Sequence, residues 1–474
     1  MPLSEAELLR ELGTRQAGAE PFRGVEVAAV DVQHVEFGHI DLAGARFVGP
    51  VRFVQCRFAG PVSFRGAAFG FGATFLDCEF AEGAVFSAAT FRGRCVFWRS
   101  RFAGPARFDN CVVRPAEEDG GAEGPAALPG ETNFSWTDFA AAADFYRMQC
   151  HGPAWFWRPA FRGDTSLSEM HFAGSFRFFG GEHEVCVARR ELTDPALFDR
   201  LLAVGVLDPD PETALARFGV LRRDRTARQL AARLAGHGLT AAEVAEVVAL
   251  WAGRAVPALP PDRPSWLRAM SFGQPGRVEF SRVDLSRSAL RDTPVAEIDL
   301  LDVTWARRRV FPGSTRLAAF DEADAAPDEY GAVRRLYGEL AATYYRRSGY
   351  REASDFRYGQ MEMLRRAAPA PLRWVSVLAG YRHLSGYGER YGLALALLLL
   401  LVFAVFPALY LGYGAAGELP RAVLHSLQIS TFQTPAGPPS PGIAAHVVEA
   451  VHRVVVPVQA GLFALAVNRR LGRA

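Results

Sequence analysis

Three groups of residues in this 474-residue chain have types and spacing that could do chemistry. His183, Glu184 and Cys186 in GEHEVC place an imidazole, a carboxylate and a thiol within a few residues, a donor set suited to a metal ion. A second cluster to complete the coordination is missing, so a surface turn is the expected reading and no metal site is assigned. Thr431, Gln433, Thr434 and Gly437 lie between two apolar stretches and form a candidate pore loop, in which Pro435 and three later prolines preclude the carbonyl ladder of a selective filter. Glu449 and Arg453, four apart at the head of the second stretch, form a candidate ion pair at the outer interface. Catalytic constellations are missing. The chain has no Lys, hence no G-x-x-x-x-G-K-[ST] loop, and neither G-x-S-x-G nor H-E-x-x-H occurs. The expectation is a protein that is not an enzyme and carries no cofactor.

The elements that hold the second and third groups are apolar. Residues 392–411 are 20 uncharged residues, the length that crosses a hydrocarbon core of about 30 Å. Residues 447–467 have the length too, with Glu449, His452 and Arg453 in the first two turns. Between them, Arg421–Phe432 is expected to be a short re-entrant helix. Arg365, Arg366, Arg373, Arg382 and Arg390 precede the first stretch, and Arg469, Arg470 and Arg473 follow the second. The intervening 412–446 carries only Glu418 and Arg421 as charges, so the positive-inside rule puts both termini in the cytoplasm. No N-terminal signal peptide is read. Six Cys without a disulfide framework fit that reducing compartment.

Most of the remaining chain is a ladder. Phe47, Phe53, Phe58, Phe64, Phe69, Phe75, Phe80, Phe86, Phe91, Phe97, Phe102 and Phe108 recur at alternating steps of six and five. Two residues before each stands a small one, such as Val51, Cys56, Val62, Ala67, Ala73 and Cys78. A helix needs spacings of three and four and a strand needs two, so the pattern predicts a solenoid whose coils bury these side chains against one another. Cys56, Cys78, Cys95 and Cys111 occupy the small slot, as buried hydrophobes. Both positions of the repeat resemble those of the pentapeptide-repeat proteins, whose right-handed quadrilateral β-helix carries a large residue at the repeat centre and a small one two positions earlier.

The expected organisation is an N-terminal capping helix (1–20), a β-helix (21–192) with a Gly/Pro-rich acidic loop at 114–131, a helical insert (193–276), final coils in a plain five-residue register (277–310), a helical hairpin with a juxtamembrane segment (311–390), and a two-span membrane domain (391–474). The fold class is mainly β solenoid, with helical insert, helical hairpin and two transmembrane α-helices. Asp194 or Thr193 with Pro195, and Thr240 with Glu243, are the helix starts of the insert. Its run RRDRTARQLAARLAGHG reads as a solvated helix face, and the run at 355–366 reads as a helix face rather than a site.

The string YGAVRRLYGELAATYYRRSGYREASDFRYGQMEM, with LSGYGERYGLALALL and ALAVNRRLGR, resembles a subgroup of bacterial membrane pentapeptide-repeat proteins. That resemblance implies the bacterial inner membrane. The order span, short helix, loop, span resembles two-helix potassium-channel subunits, but TFQTPAGPPSP stands where TVGYG would be, which removes potassium selectivity. Two function classes follow. One is a membrane-anchored scaffold whose β-helix binds a protein partner, with membrane lipid as the other contact. The other is a non-selective ion-conducting pore, which needs a homo-oligomer, most simply a tetramer. Some soluble relatives mimic DNA, but residues 22–113 carry ten Arg against eight acids, so no nucleic-acid mimicry is expected.

Overall fold

The computed structural model describes residues 2–14, 24–116, 130–180, 184–209, 218–221, 226–254, 257–273, 277–311, 313–413, 417–433 and 442–471. It divides into two units, Met1–Ala306 and Arg307–Ala474.

In the first unit each step of the ladder is a short strand whose small and large residues point inward and whose middle residue points out. Val51–Val54 shows the alternation, with Val51 and Phe53 buried and Arg52 exposed. The strands form four parallel sheets, of eight, nine, six and eight strands among the described residues. The chain visits the four in a fixed order, through Arg46–Phe47, Val51–Val54, Arg57–Phe58 and Val62–Ser63, and then lays Ala68–Phe69 on Arg46–Phe47. Val51, Ala73 and Cys95 are successive partners, so one coil is 22 residues, the sum of two six-residue and two five-residue steps. Equivalent rings stack face to face: Phe75 on Phe97 at 4.6 Å, Phe80 on Phe102 at 4.5 Å and Phe86 on Phe108 at 5.0 Å between centroids. These distances are close to the spacing between hydrogen-bonded strands. From Phe47 to Phe108 no ladder phenylalanine is more than 2 % exposed.

Outward residues stack as regularly as inward ones. On the third sheet Glu36, Arg57, Glu79, Arg101 and Asp138 are consecutive partners of alternating sign, with Arg57–Glu79 at 3.6 Å and Arg101–Asp138 at 3.9 Å. On this sheet the outward Arg and acids thus pair across strands. Each exposed pair is worth little alone. At one end, Leu3 hydrogen-bonds Glu26 and Ala28, and Leu8 of helix Glu5–Thr14 is buried. The open first coil is thereby covered, as a solenoid end requires.

Two interruptions keep the ladder in register. Arg94 pairs with Glu131 across the acidic loop, of which residues 117–129 lie outside the described residues. Phe176–Phe179 pairs with Val278–Ser281 across the insert, so the later coils stack on the earlier ones. The last coil shortens to 20 residues (Val278 on Ile298), as four five-residue steps require.

The insert's edges differ from those expected. Val185–Ala188 leaves the ladder to pair antiparallel with Phe218–Leu221, which also pairs with Leu207–Pro209. The insert therefore holds a three-stranded sheet beside helices Pro195–Ala203, Ala227–Gly236 and Ala241–Arg254. The ladder returns at Ser265–Trp266, not at 277, because Ser265 and Leu267 supply the buried small and large pair behind a proline-rich link. The excursion takes the place of the third sheet's strand, and that sheet stops at Ala160–Phe161. Its start signals act as read: Asp194 accepts from Ala196 N, and Thr240 and Glu243 close a reciprocal capping box.

The second unit begins with a hairpin, Ala306–Phe311 and Ser314–Ala318, followed by helices Tyr330–Arg346 and Tyr350–Ala367. Val333, Leu336 and Leu340 form the buried face of the first helix, and Ser348 turns the chain in a left-handed conformation. Helix Val377–Ser385 leads to two helices long and apolar enough to cross a membrane, Tyr391–Gly412 and Ile443–Arg469. Most of the apolar length of each is left exposed by the rest of the chain. The two run antiparallel, with Glu389 and Arg469 3.4 Å apart at one end. Helix Leu419–Ser430 packs against both. It is 12 residues and about 18 Å long, too short to cross.

Candidate functional sites

Three polar assemblies are built on this frame. The first lies at the corner between the second and third sheets. Gln55, Asp77, Arg99, Trp136 and Arg158 occupy the same turn of successive coils, all with φ between 54° and 59°. A left-handed non-glycine residue costs roughly 1 kcal/mol or more, so this corner needs compensating contacts. It has them. Gln55 donates to Asp77 at 3.2 Å, Arg99 bonds Asp77 at 3.1 Å, and Arg158 lies over the Trp136 ring. The insert docks on this column. Glu191 meets Arg99 at 2.7 Å, Arg190 meets Asp77, and the Cys186 carbonyl accepts from Arg99 and Arg254. A cleft of about 350 Å³ remains, lined by Arg99, Arg101, Trp136, Arg158, Glu184 and Arg254.

Glu184 bonds Arg158 there, and the Cys186 thiol is buried. His183 lies outside the described residues. Two of the three candidate donors from GEHEVC are thus part of the docking contact. All six Cys are free and buried, and burial pushes Cys150 up to about 12.

The second assembly lies between the apolar helices. Leu401–Val405 is wound as a π-helix just before Pro407, which has no N–H to give to the preceding turn. The Val402 carbonyl takes its hydrogen bond from Ser426 Oγ at 2.7 Å instead. Tyr410 Oη lies 2.8 Å from His452 Nδ1, and Ser430 Oγ lies 3.0 Å from His452 Nε2. Phe406 stacks on the His452 ring at 3.9 Å. Glu449 faces His425 at 3.2 Å, whereas Arg453 is exposed. Gln459 donates to the Leu384 and Ala394 carbonyls, both at 2.9 Å. Polar groups buried among apolar helices must be satisfied within the protein, and here the neighbouring helices share the task. Of the pore-loop candidates, Thr431 back-bonds to Leu427 O at 2.9 Å and Gln433 is exposed. Thr434 and Gly437 lie outside the described residues.

The third assembly went unread in the sequence. Asp355, Tyr358, Glu362 and Arg365 are buried, so the helix face at 355–366 is turned inward and carries a polar assembly. Their spacing of three, four and three puts them on one stripe, and that stripe faces inward where Arg316, Arg382, Arg390 and Tyr387 from other segments meet it. Glu362 holds Arg365 at 2.7 Å and Arg366 at 3.2 Å, and accepts from Tyr387 at 2.9 Å. Asp355 holds Arg390 at 3.1 Å and the Leu317 amide at 3.0 Å. Glu322 holds Arg316 and Tyr337, with Arg366 at 3.3 Å. Glu389, 1 % exposed, meets Arg357 and Arg469. The surroundings push two of these acids apart. Burial raises Glu389 above the usual range despite Ser354, Arg469 and Arg357. Burial also opposes ionisation of Glu362, but Arg365 and Arg382 outweigh it and hold the carboxyl at about 2.

That depression has a consequence for acid stability. Ionised Glu362 stabilises the fold fully above its ordinary value of 4.5, and the contribution fades as pH falls towards about 2. The loss should reach roughly 3 kcal/mol. Thermal unfolding of wild type should fall across this window, while Glu362→Gln, already destabilised, should show a flatter profile. Parallel profiles would remove Glu362 from the acid transition.

Among the described residues no group of three His, Cys, Asp or Glu is placed to hold a metal ion. Neither a curated protein nor a solved structure matches the chain. A family model described as pentapeptide repeats (9 copies) matches residues 33–79. The chain thus carries pentapeptide repeats in that stretch of the first unit, on strands that stack in parallel sheets, and has two helices of membrane-spanning length at its C-terminal end.

Proposed function

We propose that this protein is a non-enzymatic, membrane-anchored scaffold whose right-handed quadrilateral β-helix presents a binding surface in the cytoplasm. The observation that carries the reading is the coil interior. It is filled by stacked phenylalanines from Phe47 to Phe108, leaving binding to the outward rungs, the insert and its cleft. The exposed apolar surface of Tyr391–Gly412 and Ile443–Arg469 supports the anchor, since lipid would cover what the fold leaves open. Arg placement around these helices supports cytoplasmic termini, and the resemblance to bacterial membrane relatives supports the inner membrane. Alkaline carbonate should leave the full chain in the membrane fraction, and detergent should release it. Release by carbonate would overturn the anchor.

A second reading, an oligomeric non-selective pore, draws on the short helix Leu419–Ser430 held between the two longer ones by Ser426, Ser430 and His425. Planar-bilayer recording separates the readings. The scaffold predicts a silent bilayer; reproducible unitary currents from an oligomer in lipid would establish the pore.

A further inference from the structure

A cavity of about 610 Å³ opens between the helical hairpin and the end of the second apolar helix. Arg346 and Arg357 reach it from the hairpin, and Asn468 and Arg469 from the last residues of Ile443–Arg469. Three guanidiniums face one carboxylate, Glu389, which is buried and already engages Arg357 at 3.6 Å and Arg469 at 3.4 Å. Arg469 is fixed further by Tyr381 Oη and the Tyr387 carbonyl, both at 3.3 Å. Tyr345 and Tyr350 complete the rim. The site is therefore a preorganised, net-positive cavity with aromatic edges, a composition suited to phosphate oxygens.

Its level in the molecule says which phosphate. Glu389 and Arg469 sit where both apolar helices end. The neighbouring segment leaves Leu372, Trp374, Val375 and Val377 between 57 % and 89 % exposed. That run needs an apolar cover, and tryptophan beside a span is the residue of a membrane interface. Leu384, a few residues on, is hydrogen-bonded by Gln459 from within the second apolar helix, so the segment is tied to the same level. Basic pockets at this depth meet lipid headgroups.

We propose that this cavity binds the phosphate-bearing headgroup of an anionic phospholipid, with Arg346, Arg357 and Arg469 as its cations and Leu372–Val377 lying in the interface beside it. The proposal rests on the reading that the two apolar helices cross the membrane. The test is native mass spectrometry of the full chain in mild detergent, offered phosphatidylglycerol, phosphatidylcholine or inorganic phosphate. Phosphatidylglycerol should be retained roughly tenfold more than phosphatidylcholine. The double variant Arg346→Gln/Arg357→Gln should lose that preference while keeping its unfolding midpoint in phosphatidylcholine. Ala342→Trp, which fills the cavity without removing a charge, should lose retention too, so the test survives misfolding of the first variant. Equal retention of the two lipids, or an unchanged preference in both variants, overturns the site. Displacement of phosphatidylglycerol by inorganic phosphate assigns the cavity to a soluble anion and overturns the lipid. Carbonate release of the chain would refute the membrane reading itself, which a negative lipid result leaves standing.

Discussion

Phe97→Asp is expected to unfold the coils on either side of it. The Phe97 ring is fully buried and touches Phe75, Phe86, Phe108 and Phe134 at centroid distances of 4.6–5.3 Å. Truncation to Ala alone should cost about 3–5 kcal/mol. The aspartate adds a charge with no partner, which must neutralise or draw water into the stack. Solenoid coils contact only their neighbours, so the damage should be local. Hydrogen exchange should show lost protection at Ala73–Leu76 and Glu131–Asn133, with the helical hairpin Tyr330–Ala367 unaffected. Val48→Asp, on the exposed side, should shift stability by no more than about 0.5 kcal/mol. Normal protection in Phe97→Asp would place that ring outside the core.

Glu322→Ala is expected to destabilise the helical hairpin by about 3–5 kcal/mol, because it leaves the buried Arg316 guanidinium without its carboxylate. Arg316 would keep the Leu317 carbonyl at 3.0 Å and Tyr337 Oη at 3.3 Å, neither of which carries charge. Glu322→Gln preserves an acceptor for Arg316 and Tyr337, so its loss should be smaller. Exchange of the Tyr330–Arg346 amides measures both, since it reads this helix directly. Unchanged exchange in Glu322→Ala would mean that solvent, not Glu322, compensates Arg316.

The two predictions differ in how they could have been reached. Phe97 was marked as core by its place in a repeat, because a pattern of one large and one small residue per step has no other way to bury itself. Glu322 carried no such mark. Neither did Asp355, Glu362 and Arg365, although they share a helical stripe. A polar stripe usually faces water, and this one is buried where Arg316, Arg382, Arg390 and Tyr387 from other segments meet it.

The membrane-length helices were legible for a similar local reason, since length and apolarity are properties of a segment. Ser426 on Val402 and His452 between Tyr410 and Ser430 are not, because they depend on how three helices pack. The insert shows both cases. Asp194 and Thr240 announced its helices, but Ser265 and Leu267 hid the return of the ladder behind prolines and a leucine in place of phenylalanine.

The sequence by itself determined the repeat, its period, its inward residues, the helix starts and the two apolar helices. Each of these is set by neighbours within one coil or one helix. Only the tertiary structure decided that the insert closes on the Asp77–Arg99 corner, that the hairpin buries its ionic stripe, and that Arg346, Arg357 and Arg469 share a cavity. Those contacts join residues from separate coils and helices, and their energies depend on burial and pairing that no local pattern encodes.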